Sequence, residues 1–259
     1  MNLGALAGAG FAVGAVYAAA HARVSWLDRA RTTSTTRTRS EVFASFAAGC
    51  LLVASVQPLV DVLHLSRLEL FLALWSLCFV IGFLLIAIEA AVFTAGPAPL
   101  RPVHLLGALG LTAVASGIVA ALVEPAATGS LVQNFQRSVA SLGTGQWWLR
   151  IALAAVVYMV AYCVLGSITW YFVKPYYDDP KLGLKLRVPG GKVIITLQLG
   201  RGLAATLALL PLIVSVGIER AVWWPQMALA LAMVGAVVPL VNAHDWPLRL
   251  RIAHALEID

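Results

Sequence analysis

The stretch VIITLQLGRGLAATLALLPLIVSVG, from Val193 to Gly217, decides what kind of fold this chain adopts. It is almost entirely apolar, and about 20 such residues in an α-helix are enough to cross the hydrocarbon core of a bilayer. The stretch also holds one charge, Arg201, between Gly200 and Gly202. A charge at that depth is costly unless it has a partner or faces a water-filled cavity. The stretch therefore predicts a transmembrane helix that carries a polar feature.

The whole chain has the composition of a polytopic membrane protein. Of its 259 residues, 61% are hydrophobic and only 12% are charged, whereas about 25% of the residues in a soluble domain are charged. The apolar runs are long enough to be helices rather than barrel strands. We therefore expect an all-α fold with a single transmembrane helical domain over residues 1–259. The net charge of +6 is first a signal of topology, and we expect no nucleic-acid partner.

Seven apolar runs predict a bundle of seven transmembrane helices. Polar loops, or loops with proline and glycine such as residues 96–99, separate them. The predicted spans are residues 3–20, 42–63, 68–95, 103–123, 147–173, 193–217 and 223–241. The tail over residues 242–259 is too short and too charged to cross. We expect it to lie along the cytoplasmic interface, with a helix that begins near Pro247.

The distribution of basic residues sets the expected orientation. Most of the 18 Lys and Arg residues lie in the tail or in the loops after spans 1, 3 and 5. The positive-inside rule then places the N-terminus outside and the C-terminus in the cytoplasm of a bacterial-type plasma membrane. A cleaved signal peptide is disfavoured because residues 1–20 carry no charged side chain. The basic loop over residues 174–192 is expected to contact anionic lipid head groups, with docking of a cytoplasmic partner as the alternative.

Small residues within the spans predict where helices approach one another closely. Two glycine pairs in span 1, one of them Gly10 and Gly14, show the G-x-x-x-G spacing. On span 6, Gly200, Ala204 and Ala208 form a stripe of small residues suited to a close neighbour.

One pair of opposite charges is predicted within the membrane. Spans 3 and 6 run in opposite directions, so Glu89 and Arg201 each lie about two turns from the inner ends of their helices. This common depth makes Glu89 the expected counter-ion of Arg201. Gln198 lies one turn before Arg201 and offers a further hydrogen-bonding group. The pair either fixes the packing of spans 3 and 6 or forms a polar site for a small anion or proton.

A second polar cluster is predicted near the outer ends of the helices. Gln57, Asp61 and His64 follow the i, i+4, i+7 spacing of one helical face. Arg150, Glu124 and Glu69 fall at a similar depth, and Asp61 could pair with Arg150. The cluster either lines an outward-facing vestibule or is an ordinary solvated interface.

Metal, cofactor and enzymatic chemistry find little support in the sequence. The histidines do not face one another at one depth, and Cys50, Cys78 and Cys163 form no C-x-x-C pair, so we expect no metal and no cofactor. Neither a P-loop nor a G-x-S-x-G nor an H-E-x-x-H motif is present. A non-enzymatic role is therefore favoured.

Two classes of function remain open. The first is a small-solute or ion transporter, or a ligand-binding membrane protein, centred on the intramembrane Glu–Arg pair. It predicts a hydrated cavity at the pair and a broken or kinked span. The alternative is a non-catalytic membrane subunit or scaffold of a larger complex, with membrane-protein partners or further copies of itself. It predicts a dry interior and a flat apolar face rich in the glycines of span 1.

Overall fold

The computed structural model describes residues 3–29, 39–94, 100–123, 130–177, 186–216, 223–242 and 247–258. Within these ranges the chain is helical, and we number nine helices in chain order. They are α1 (Leu3–Arg29), α2 (Arg39–Val60), α3 (Arg67–Phe93), α4 (Pro102–Leu122), α5 (Leu131–Leu142), α6 (Thr144–Tyr177), α7 (Gly191–Val216), α8 (residues 224–242) and α9 (Leu248–Ile258). All but α5 and α9 are long and apolar enough to cross a membrane, and these seven match the seven predicted spans.

The ends of the helices differ from the predicted spans where the helix does not stop with the apolar run. Helix α1 continues to Arg29, and α6 covers residues 144–177 rather than 147–173. Helix α2 ends at Val60 instead of residue 63. Pro58 lies in its last turn, and because proline has no N–H, the carbonyl of Ala54 one turn earlier lacks its helical partner. After Val60 the chain tightens into turns in which the N–H of Leu63 donates to the carbonyl of Val60.

Two of the long helices contain π-helical segments that meet inside the bundle. Residues Leu77–Leu84 of α3 and Ala232–Val237 of α8 are π-helical, with α-helix on both sides. A Cβ atom on Gly82 would lie 3.0 Å from Cγ1 of Val234, so the two segments are in close contact. π-Helical turns are rare in proteins, and those that do occur are often found at functional sites.

Helices α1 and α2 are joined by a glycine contact. A Cβ atom on Gly14 would lie 2.8 Å from the carbonyl oxygen of Phe46, and one on Gly49 would lie 2.8 Å from Cα of Gly14. Only glycine fits at this crossing, because any side chain would meet backbone atoms. The pair Gly10 and Gly14 thus lies inside the protein, whereas a Cβ on Gly8 would have open space around it.

The core is centred on α2 and α3, and α6 lies at the edge. Leu52, Val56 and Leu59 of α2 are buried, as are Leu70 and Leu74 of α3. Helix α6 instead exposes a long apolar face, which includes Leu153, Val157, Val160, Val164 and Ile168. In a protein that crosses a bilayer, lipid tails would cover this face.

The short helix α9 packs at one end of the bundle, which we call the α9 end. Leu250 is fully buried there against Val173 of α6. At the same end, the main-chain N–H of Arg187 donates to the carbonyl of Phe93, and its guanidinium donates to the carbonyls of Val92 and Ala91. Arg187 therefore satisfies carbonyl groups at the C-terminal end of α3 that have no partner within the helix.

Candidate functional site

The buried charges Glu89 and Arg201 lie where three helices meet. Glu89 projects from α3, four residues before the end of that helix, and Arg201 projects from α7. Nη1 of Arg201 lies 2.9 Å from Oε2 of Glu89, and the two side chains are only 1% and 3% exposed. The contact lacks the direction of a hydrogen bond, so it is an ion pair. Burial of either charge alone would be strongly unfavourable, and the attraction between the two charges offsets part of that penalty.

Two hydrogen bonds hold the ion pair in place. The hydroxyl of Tyr162 on α6 donates to Oε1 of Glu89 at 2.8 Å. Nη1 of Arg201 donates to Oε1 of Gln198, one turn earlier on α7, at 2.9 Å. Gln198 is fully buried and Tyr162 is nearly so. Hydrogen bonds to charged groups are stronger than neutral ones, and these two restrict the orientation of both charged side chains.

Two aromatic rings of α6 flank the guanidinium group. Its Cζ lies 5.8 Å from the ring centroid of Tyr158 and 5.9 Å from that of Tyr162. These residues are four apart, so they lie on one face of α6. The negative faces of aromatic rings attract a cation within about 6 Å, and this attraction is larger when water is absent.

The tyrosines reach Arg201 because α6 and α7 approach each other at a glycine. A Cβ atom on Gly202 would lie 2.9 Å from Cα and from the carbonyl oxygen of Ala155. Gly200 is exposed, with open space where its Cβ would be. The predicted stripe of small residues therefore has no close neighbour at Gly200. Ala208, at its other end, is buried, and its carbonyl accepts a hydrogen bond from the Ser76 hydroxyl of α3 at 3.3 Å. The close contact with α6 lies on the face of α7 that carries Gly202.

The polar network around Arg201 is incomplete. Among the residues that the structure describes, Nε and Nη2 of Arg201 and Nε2 of Gln198 are buried and have no hydrogen-bond partner. A guanidinium group has five N–H donors, and only Nη1 is engaged here. Each buried donor without an acceptor costs about 1–3 kcal/mol. The site thus offers several unused donors next to a neutralised charge pair.

The predicted outer cluster is only partly brought together. Nε2 of Gln57 donates to Oδ1 of Asp61 at 2.7 Å, and a ring nitrogen of His64 lies 3.1 Å from the carbonyl oxygen of Val62. Arg150 lies in the second turn of α6 with an exposed side chain. Glu124 is outside the described residues. The pairing of Asp61 with Arg150 stays a prediction.

A further carboxylate organises this end of the bundle, which we call the α5 end. The side chain of Glu69 accepts hydrogen bonds from Ser66 at the start of α3 and, at 2.7 Å, from the N–H of Leu131 at the start of α5. One side chain therefore caps two helices. The amide of Asn134 on α5 donates to the carbonyl of His64 at 3.3 Å. The Ser-x-x-Glu pattern of residues 66–69 is the sequence signal for such a cap.

A cavity of about 310 Å³ lies beside the contact between the two π-helical segments. Gly82 and Val234 from these segments line it, and its polar groups come from Tyr17, Cys78 and Thr112. A second cavity, of about 390 Å³, lies along α1 and α2. Neither of these two cavities is lined by the charged pair.

Metal binding has no evident site in the part of the chain that the structure describes. There, no group of three or more His, Cys, Asp or Glu side chains is placed to hold a metal ion. Comparison of the chain with protein-family models, with curated proteins and with solved structures finds no match in any of the three. The seven helices long and apolar enough to span a membrane fit a multi-pass membrane protein.

Proposed function

We propose that this protein binds and transports a small solute or ion across the membrane by means of the Glu89–Arg201 pair. The observation that carries the proposal is the buried network of Glu89, Arg201, Gln198 and Tyr162, which unites α3, α6 and α7 and leaves donors unused. Ionisable groups inside a membrane protein are costly, and they commonly mark substrate and ion pathways.

The π-helical segments support the same proposal. Transporters often place irregular turns near the middle of their spans, where backbone or side-chain groups can change partners. Here α3 carries both a π-helical segment, Leu77–Leu84, and the carboxylate of the charged pair. The second π-helical segment, in α8, packs against the first. The irregular geometry therefore lies on the helix that would have to move Glu89.

The proposed setting is a bacterial-type plasma membrane with the N-terminus outside and the C-terminus in the cytoplasm. This orientation rests on the excess of Lys and Arg in alternate loops. The α9 end then faces the cytoplasm. Lys174 and Lys192 have exposed side chains near that end, and they support the proposal that residues 174–192 contact anionic lipid head groups.

A flux assay tests the proposal. The full chain is reconstituted into liposomes, and the uptake of a panel of radiolabelled small cations, anions and neutral solutes is measured. We expect at least one class of solute to produce uptake that is lost in Arg201→Gln. The matched control is Gly200→Ala, because Gly200 is adjacent in sequence but faces open space. Uptake that is equal in Arg201→Gln and in the unmodified protein would remove the pair from the mechanism.

A second candidate is a non-catalytic membrane subunit or scaffold. It is favoured by the two described cavities, since neither borders Glu89 or Arg201, and by the way the pair ties three helices together. The glycines Gly10 and Gly14 argue against one version of it, because they pack inside the protein and not on an outer face. A scaffold predicts that no solute in the panel gives flux, while Arg201→Gln lowers the stability of the protein.

A further inference from the structure

The unused donors at Arg201 define a binding site of particular chemistry, and this inference rests on the proposed function because it names the substrate class of the same site. We propose that a monocarboxylate binds to the free edge of the Arg201 guanidinium and to Gln198, and that Glu89 takes up a proton as the carboxylate binds.

The free edge of Arg201 matches the shape of a carboxylate. Nε and Nη2, the two nitrogens without partners, share one side of the planar guanidinium group, and their N–H bonds on that side are parallel. Two parallel donors fit the two oxygens of a carboxylate in a bidentate contact. Nε2 of Gln198 is a third buried donor without a partner, and the oxygen of the same amide already bonds to Arg201. Of the buried atoms without a hydrogen-bond partner in this network, three are donors, and the one acceptor, Oε2 of Glu89, already forms the ion pair with Nη1 of Arg201. The free edge of the guanidinium therefore favours a ligand that accepts hydrogen bonds.

Charge balance selects one negative charge and requires a proton. Arg201 and an ionised Glu89 cancel, so a bound carboxylate would leave one uncompensated negative charge in a buried site. One proton taken from solution onto Oε2 of Glu89 restores neutrality. The carboxylate then replaces Glu89 as the counter-ion of Arg201. A dicarboxylate would bring a second charge that no described neighbour balances.

The groups that face Glu89 are arranged for this exchange. Arg201 faces it from α7 and the hydroxyl of Tyr162 faces it from α6, while the ring of Tyr158 lies beside the guanidinium. The Tyr162 hydroxyl donates to Oε1, so this carboxylate oxygen keeps its partner while Oε2 becomes the protonated one. Arg201 stays ionised in both states. The only proton that changes place is therefore the one on Glu89.

Calorimetric titration of the full chain in non-ionic detergent tests the inference. Propionate is titrated in two buffers of different ionisation enthalpy, which reports the number of protons taken up. We expect saturable binding with uptake of about one proton per carboxylate, and no binding of the neutral isostere propionamide. Laurate is a second arm, because a carboxylate could reach the site from the lipid as a fatty acid. If laurate binds and propionate does not, the carboxylate site is supported and its ligand comes from the membrane.

Variants separate the site from general effects. Arg201→Lys keeps the charge but loses the parallel donors, and we expect it to weaken binding by at least about tenfold. Glu89→Gln resembles the protonated carboxyl, and we expect it to bind propionate at least as tightly as the unmodified protein but without proton uptake. If Arg201→Lys does not fold, Gln198→Met removes one donor and should weaken binding by about fivefold to tenfold. Gly200→Ala should bind normally.

Several results would overturn the inference. No binding of either carboxylate would mean that ordered water alone occupies the free donors. Proton uptake that persists in Glu89→Gln, or unchanged affinity in Arg201→Lys, would also refute it. The proposed function and this inference can fail independently. If the flux panel reveals an Arg201-dependent solute of another class, the proposed function stands and this inference falls. Carboxylate binding with proton uptake but no flux would support the inference and refute transport.

Discussion

Replacing each of the two glycines beside Arg201 by alanine tests the approach of α6 to α7. A Cβ atom on Gly202 would lie 2.9 Å from Cα and the carbonyl oxygen of Ala155, and 2.9 Å from Cβ of Tyr158. These are mostly backbone atoms, so they cannot move aside without separating the two helices. A Cβ on Gly200 would have nothing within 4 Å. The two positions thus differ in packing but share the same helix.

The expected difference in stability follows from two effects. Alanine is favoured over glycine inside a helix by about 0.8–1.0 kcal/mol, and both variants receive this gain. Forcing an extra methyl group into a closely packed contact costs about 1–3 kcal/mol, and only Gly202→Ala meets that cost. We therefore expect Gly202→Ala to be about 1–3 kcal/mol less stable than Gly200→Ala. Gly200→Ala itself should be more stable than the unmodified protein by up to about 1 kcal/mol.

Equilibrium unfolding in mixed micelles provides the measurement. The full chain is titrated with sodium dodecyl sulfate in a non-ionic detergent, and unfolding is followed by tryptophan fluorescence. A lower midpoint with an unchanged slope reports a loss of stability. If the two alanine variants agree within about 0.5 kcal/mol, the close contact of α6 with α7 at Gly202 is wrong. The placement of the tyrosine rings beside Arg201 would then be wrong as well.

Three further predictions use the same unfolding assay. Glu89→Gln and Arg201→Gln should each lower the free energy of unfolding by about 3–5 kcal/mol, because each leaves a buried charge unpaired. The double variant should lose less stability than the sum of the two single variants, and additive losses would contradict the ion pair. Gly14→Ala should lower the free energy of unfolding by about 1–3 kcal/mol, because its Cβ would meet backbone atoms of α2. Gly8→Ala is the control, and equal losses of stability in the two variants would rule out the glycine crossing. Glu69→Ala should cost about 1–2 kcal/mol and speed hydrogen exchange in the first turn of α5, whereas unchanged exchange would refute the shared cap.

Hydropathy made the number and approximate position of the long helices predictable. Each span has to bury its backbone in lipid, so the apolar run must be long and continuous, and such a run is visible in any one sequence. The ends were less predictable because a helix continues past the apolar run wherever nothing stops it. Helix α6 extends to Tyr177 past Lys174 and Pro175, although charged residues and prolines suggest a loop.

Helix α5 was expected to be part of a loop because its residues are too polar to span a bilayer. Its sequence nevertheless carries a signal. Leu131, Phe135 and Val139 recur at the spacing of a helical face, which is the pattern of an amphipathic helix at an interface. Ser130 precedes Leu131, and serine is a common N-cap residue. The period of the apolar residues identifies this helix, whereas its polar composition suggests a loop.

The ion pair of the candidate site was predictable from the sequence, but the directions in which the neighbouring helices face were not. Two charges at one depth on antiparallel spans have few other partners, so Glu89 was the natural counter-ion for Arg201. Tyr158 and Tyr162 gave no such signal, since the facing of α6 depends on tertiary packing. Whether Gly200 or Gly202 is the contact residue depends in the same way on how α7 is rotated about its own axis, which the sequence does not reveal. A sequence determines the spacing along each helix far better than the angle between helices.

The π-helical segment of α3 divides this helix into two parts whose side chains follow different angular phases. An i→i+5 turn encloses one residue more than an α-helical turn, and one residue corresponds to about 100° of rotation around the axis. Glu89 lies five residues beyond the segment, so the segment sets the direction in which the Glu89 side chain leaves the helix. In that direction it contacts Arg201. Converting one π-helical turn to α-helix would swing the carboxylate around the helix axis without tilting the helix. Such a rotation would disconnect the ion pair while the outline of the bundle stayed the same.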